Sequence, residues 1–145
     1  MYVADLTELV VIDIKTAKVL EKFSAPDSIF LNDVAIDSKG TVYVSDTRKN
    51  RLYRLQHNKL SPWLENVEAA NGLTFVDDQL FIGAGDKLFK ADDQGKLTIV
   101  AQGFAERADG VEHVGNGDFT LGIEEFVVFK IGRYEEISPR LDGLV

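Results

Sequence analysis

Four segments of this chain carry variants of one short phrase: Met1-Tyr-Val-Ala-Asp-Leu6, Val42-Tyr-Val-Ser-Asp-Thr47, Leu80-Phe-Ile-Gly-Ala-Gly85 and Asp118-Phe-Thr-Leu-Gly-Ile123. A second β-rich run follows each, at Leu9–Ile14, Arg51–Leu55, Lys87–Ala91 and Phe126–Ile131. Strand pairs recurring about every 40 residues mark a repeat architecture, whose units cannot bury their apolar faces until they stack. Function on such a scaffold collects where equivalent positions of successive repeats converge, so the repeats decide which residues to compare.

The second repeat is complete and serves as the template. It predicts strands over Leu31–Asp37, Thr41–Ser45, Arg51–Gln56 and Leu60–Leu64, separated by polar turns such as Asp37-Ser-Lys-Gly40 and His57-Asn58-Lys59. Pro62 suits an outer edge, because proline donates nothing to a ladder. The third repeat predicts strands over Gly72–Val76, Gln79–Ile82, Lys87–Ala91 and Leu97–Ala101, the fourth over Gly110–Val114, Phe119–Leu121, Phe126–Ile131 and Tyr134–Ile137. Asn32 to Asn71 and Asn71 to Asp109 are steps of 39 and 38 residues, close to the roughly 40–45 of a four-stranded propeller blade. Runs such as Leu9-Val-Val-Ile12 are apolar on both sides, as in sheets covered on both faces.

The fold class expected is therefore all-β: a β-propeller of four-stranded antiparallel blades within one domain, residues 1–145. A β-sandwich is the alternative. Blade units fall at roughly 1–30, 31–69, 70–107 and 108–140, and 141–145 resembles the start of a further innermost strand. That is about three complete blades plus a split one: a compact four-bladed ring, part of a six-bladed-type ring, or a ring closed by oligomerisation. An open blade face of roughly 300 Å² leaves about 8 kcal/mol of apolar surface unburied, so closure within the chain or a homo-oligomer is expected.

A net charge of −8, from 16 basic and 24 acidic residues, argues against a nucleic-acid partner. The chain lacks cysteine, which removes disulfides, thiolate metal sites and thiol nucleophiles. No apolar run approaches the ~18 residues of a membrane span, and Met1 opens into a strand-like segment without a signal-peptide pattern. These features predict a soluble chain with no membrane partner and leave its compartment undetermined.

Asn32, Asn71 and Asp109 begin the three innermost strands. In a propeller such positions face the central channel from adjacent blades. Two amide carbonyls and a carboxylate are hard donors, suited to Ca²⁺, with Zn²⁺ or Mg²⁺ as alternatives. Asn, Asp and Gly also serve simply as turn formers.

The segments Leu31-Asn-Asp-Val-Ala-Ile-Asp-Ser-Lys-Gly-Thr-Val-Tyr-Val-Ser-Asp46, Ala70-Asn-Gly-Leu73 and Ala108-Asp-Gly-Val111 together resemble the SMP-30/gluconolactonase family, related to strictosidine synthase-like and paraoxonase-type propellers. The resemblance covers roughly Met1 to Asp118. It implies that Asn32, Asn71 and Asp109 ligate a divalent metal, and that the chain hydrolyses lactones or related esters. On this reading the ion polarises the carbonyl while Asp109 is the catalytic carboxylate. Asp33, His113 and, by repeat position alone, Asp142 are weaker candidates for a substrate-contacting or supporting role. The family's metal-binding Glu from an early blade has no counterpart in Met1–Phe30, and Phe30 stands where a basic residue often lies two positions before the motif asparagine. These departures motivate the alternative reading, a non-catalytic propeller for binding or assembly with a degenerate metal site. His57 reads as a turn residue, and the glycine pairs Gly83/Gly85 and Gly115/Gly117, with no helix following, read as turns or close blade contacts.

Overall fold

The computed structural model describes residues 1–105, 107–123 and 128–131. The predicted outer strand Tyr134–Ile137, the terminal strand-like segment 141–145 and the candidate Asp142 lie outside the described residues.

The described chain is built from antiparallel strands in four sheets. The first holds β1 (Tyr2–Asp5), β2 (Glu8–Asp13) and β3 (Lys18–Ser24). The second runs β4 (Leu31–Ile36), β5 (Val42–Asp46), β6 (Arg51–Gln56) and β7 (Lys59–Glu65) in sequential order. The third repeats that order with β8 (Ala70–Val76), β9 (Gln79–Ala84), β10 (Lys87–Ala91) and β11 (Leu97–Gln102). In the fourth, β12 (Ala108–Gly115), β13 (Asp118–Ile123) and β14 (Val128–Ile131) are described.

Turn chemistry fixes these registers. His57-Asn58, Asp77-Asp78 and Asn116-Gly117 take positive φ at both residues, the geometry of two-residue hairpins that match strand twist. At Asp37 and Asp92 the carboxylate accepts amides two and four residues on, and Gly40 and Gly95 close the turns at φ +84.

Alternation along the second strand of each middle sheet shows how the sheets stack. Val42 and Val44 join Leu9, Phe23 and Tyr53 in a cluster between the first and second sheets. Tyr43, between them in sequence, faces the other way and packs with Leu52, Leu73, Leu80 and Ile82 between the second and third. Phe81 in turn meets Leu88, Val111, Phe119 and Leu121 between the third and fourth. Each middle sheet is thus covered on both faces, whereas a two-sheet sandwich covers one face of each sheet. The innermost strands β4, β8 and β12 lie side by side, and β1 meets β4 through a bridge between Leu6 and Leu31. This is a β-propeller arc. No helix among the described residues is long and apolar enough to cross a membrane.

Candidate functional site

The motif residues do more than begin their strands: they bulge. Leu31 pairs with Asp46 and Val34 with Val44, so Asn32 and Asp33 together oppose Ser45. Asn71 and Gly72 likewise oppose Gly83, and Asp109 and Gly110 oppose Gly122. Bulges re-aim side chains and concentrate at barrel rims and beside active sites. Here the same irregularity recurs at one level of three consecutive blades.

Small residues face the bulges because the next blade comes close. A Cβ on Gly83 would sit 2.7 Å from Val111 Cγ2, and one on Gly72 would meet the carbonyl of Asp109 and the amide of Val111, each at 2.6 Å. At the preceding seam the position of Gly72 is held by Asp33. Its Oδ2 accepts the Leu73 amide at 2.7 Å, its Oδ1 the Val34 amide at 2.8 Å, and its own amide donates to Ser45 Oγ at 3.0 Å. Burial pushes the Asp33 carboxyl above its ordinary value, and the negative Asp109 nearby adds to that; the two amide donors oppose it.

Of the three expected metal-binding residues, two are in direct contact. Asn71 Nδ2 donates to Asp109 Oδ1 at 3.1 Å, linking the third and fourth blades. Asn32 is held separately: its Nδ2 donates to Thr47 Oγ1 at 3.1 Å, and Thr47 Oγ1 donates to the Ala70 carbonyl at 2.8 Å. That chain spans the second and third blades just before Asn71. Asn32 and Asn71 are half-buried, whereas Asp109 is exposed. Each amide nitrogen is committed to a neighbour; the amide carbonyl and carboxylate oxygens of these residues are hard donors, of the chemical type a divalent cation takes. Charge here is sparse: among the described residues no three acidic or imidazole side chains gather into a metal-binding group. His113 stands apart, four residues beyond Asp109 along β12, with its ring 5.3 Å from that of Phe119.

Sequence reasoning missed two supporting residues, Thr47 and Asp46. Asp46 is fully buried, and its carboxylate accepts the amides of Ile29, Phe30, Arg48 and Lys49 at 2.8–3.2 Å. It fixes the segment leading into β4. The Val-Ser-Asp-Thr phrase was the available signal, since a polar pair ending an apolar strand must find partners. A cleft of about 570 Å³ lies between the loop 66–68 and the β9–β10 turn, lined by Glu68, Lys87, Phe89, Leu97 and Arg107 among others and by none of Asn32, Asn71 and Asp109.

No family model and no curated protein matches the chain. Solved structures do. A virginiamycin B lyase from Staphylococcus aureus matches with a TM-score of 0.63 at 11% identity, over 87% of this chain and 48% of that one. A luciferin-regenerating enzyme gives 0.64 at 14%, over 82% and 45%. A protein described as a proposed gluconolactonase gives 0.65 at 17%, over 89% and 54%. The chain spans about half the length of these structures. At such identities the likeness shows the propeller fold alone.

Proposed function

We propose that the chain is a divalent-cation-dependent hydrolase of lactones or related esters, with Asn32, Asn71 and Asp109 at its reacting centre. The observation that carries this reading is the contact between Asn71 and Asp109 at 3.1 Å, set in bulges repeated at the same level in adjacent blades. The likeness to a proposed gluconolactonase supports it. The likeness to a lyase is a reminder that a fold does not transmit one reaction.

A bound Ca²⁺, or Zn²⁺ or Mg²⁺ in its place, would supply Lewis-acid polarisation of the substrate carbonyl. Asn32, Asn71 and Asp109 would hold it through oxygen. Asp109, exposed at the rim, takes a proton from the attacking water. The water oxygen bonds to the carbonyl carbon, the carbon–oxygen bond of the ester breaks, and the proton passes to the departing alkoxide, leaving a hydroxy acid. Thr47 fixes the Asn32 amide, and Asp33 holds the second blade's bulge against the third. Three donors are fewer than the about six to eight oxygens Ca²⁺ takes; water and whatever completes the ring, including a second copy of the chain, supply the rest.

The test is a melting curve with and without millimolar calcium, zinc or magnesium, alongside release of acid from simple lactones. The reading requires an upward shift with at least one ion, lactone cleavage dependent on it, and loss of both in Asp109→Ala. Should no ion shift the transition, the non-catalytic binding module takes its place. The amide-rich, weakly charged donor set is the observation favouring that second reading.

A further inference from the structure

Phe30, two residues before Asn32, lies under a cation delivered from elsewhere in the blade. The Arg48 guanidinium sits over its ring, 5.1 Å from the centroid. Arg48 leaves the β5–β6 turn and reaches inward, across the start of the innermost strand β4. Hydrogen bonds tie the platform down. Asp46 accepts the amides of both Phe30 and Arg48, and the Phe30 carbonyl accepts the Thr47 amide at 3.1 Å. Thr47, the neighbour of Arg48, is the residue that holds Asn32.

Arg48 is exposed and, among the described residues, forms no ion pair. In a chain of net charge −8, an uncommitted arginine beside the motif residues is a local exception to a field that repels anions. A guanidinium stacked on an aromatic face keeps its planar donor fork free and loses less freedom when it engages a carboxylate. Arg107 stands two residues before Asp109, as Phe30 stands before Asn32. It too is exposed.

We infer that Arg48 is a specificity-determining residue that binds a carboxylate on the substrate, distinct from the carbonyl under attack. The substrate class is then lactones or esters that carry a free carboxylate. This inference rests on the hydrolase reading and narrows it.

The experiment compares glutarate with butyrate by calorimetric titration of the full chain in calcium. Both ligands offer one carboxylate to the ion, and only glutarate offers a second. Glutarate is expected to bind at least about tenfold tighter, a difference of ~1.4 kcal/mol. Arg48→Gln should bring the two to within about twofold, and Arg48→Lys should recover part of the preference, because ammonium replaces the charge but not the fork. Equal affinities in the parent chain, or a preference that survives Arg48→Gln, overturn the inference. The calcium melting shift separates the two failures. A shift without glutarate preference removes the carboxylate inference alone, whereas no shift with any divalent ion removes the hydrolase reading and this inference with it.

Discussion

Asp33 reaches across the seam between the second and third blades to accept the Leu73 amide at 2.7 Å. One seam further on, the equivalent residue is Gly72, and backbone meets backbone there with no room for a side chain. The candidate site is thus held by a carboxylate bolt on one side and by direct contact on the other. Asp33→Ala strands the Leu73 amide in a half-buried seam. It should cost about 1–3 kcal/mol, read from urea unfolding.

The same carboxylate gives a pH signature. Burial raises the Asp33 pKa in the folded chain, so the folded state holds that proton more tightly than the unfolded state. Its contribution is fully present below the ordinary Asp value of about 3.9 and is lost as pH rises through the raised folded value. Asp33→Asn removes this titration. The stability difference, parent minus Asp33→Asn, should therefore grow as pH is lowered from 7 towards 4. Asp13 and Asp86, whose pKa values are lowered by a hydrogen bond from Thr16 and from Lys87 respectively, act oppositely but are common to both proteins and cancel. A difference that is flat or shrinks on acidification removes burial as the dominant influence on Asp33.

Much of this arrangement was legible in the sequence, and the reasons are physical. The spacing of Asn32, Asn71 and Asp109 gave the blade register, because each repeat must return its innermost strand to the axis. The expected strands Arg51–Gln56 and Lys87–Ala91 coincide with β6 and β10, since charged or polar turns bound them tightly. What could not be read was the pairing irregularity. A bulge is a relation between two strands, and Asn32-Asp33 shows no sign of it until Ser45 is placed opposite. Nor does composition reveal that Phe30 lies beneath Arg48, because the two, 18 positions apart in sequence, are brought together through Asp46.

Gly72→Ala tests the backbone seam. The added methyl would lie 2.6 Å from both the Asp109 carbonyl and the Val111 amide, and neither is the end of a flexible side chain. A shift of the fourth blade is required, with a cost of about 1–3 kcal/mol typical of overpacking. Asp109 moves with it, so any divalent-ion shift in melting should shrink too. Gly110→Ala, where a Cβ would meet nothing within 4 Å, is the control and should melt close to the parent.

Asp46 should matter more for folding than any motif residue. Four backbone amides converge on its fully buried carboxylate. Asp46→Ala leaves them without their acceptor and frees the segment carrying Phe30 into β4. A loss of about 3 kcal/mol is expected, since a donor left unpaired costs about 1–3 where water cannot reach it, and these four amides are only part-buried. Urea denaturation measures it, and faster hydrogen exchange at Ile29 and Phe30 would locate it.

The Asn71–Asp109 contact offers the sharpest view of what the site holds. The Asn71 amide nitrogen donates to the Asp109 carboxylate at 3.1 Å. Asn71→Asp replaces that donor with a second negative charge, so in EDTA the variant should melt below the parent through like-charge repulsion. With calcium the order should reverse, because affinity in oxygen cages rises with ligand charge. The variant should bind calcium about tenfold tighter by calorimetry, a gain of ~1.4 kcal/mol. If repulsion appears in EDTA but calcium brings no relief, the two side chains are neighbours without being joint ligands. If neither effect appears, the blades do not hold these groups together in solution, and the ion-binding centre fails with them.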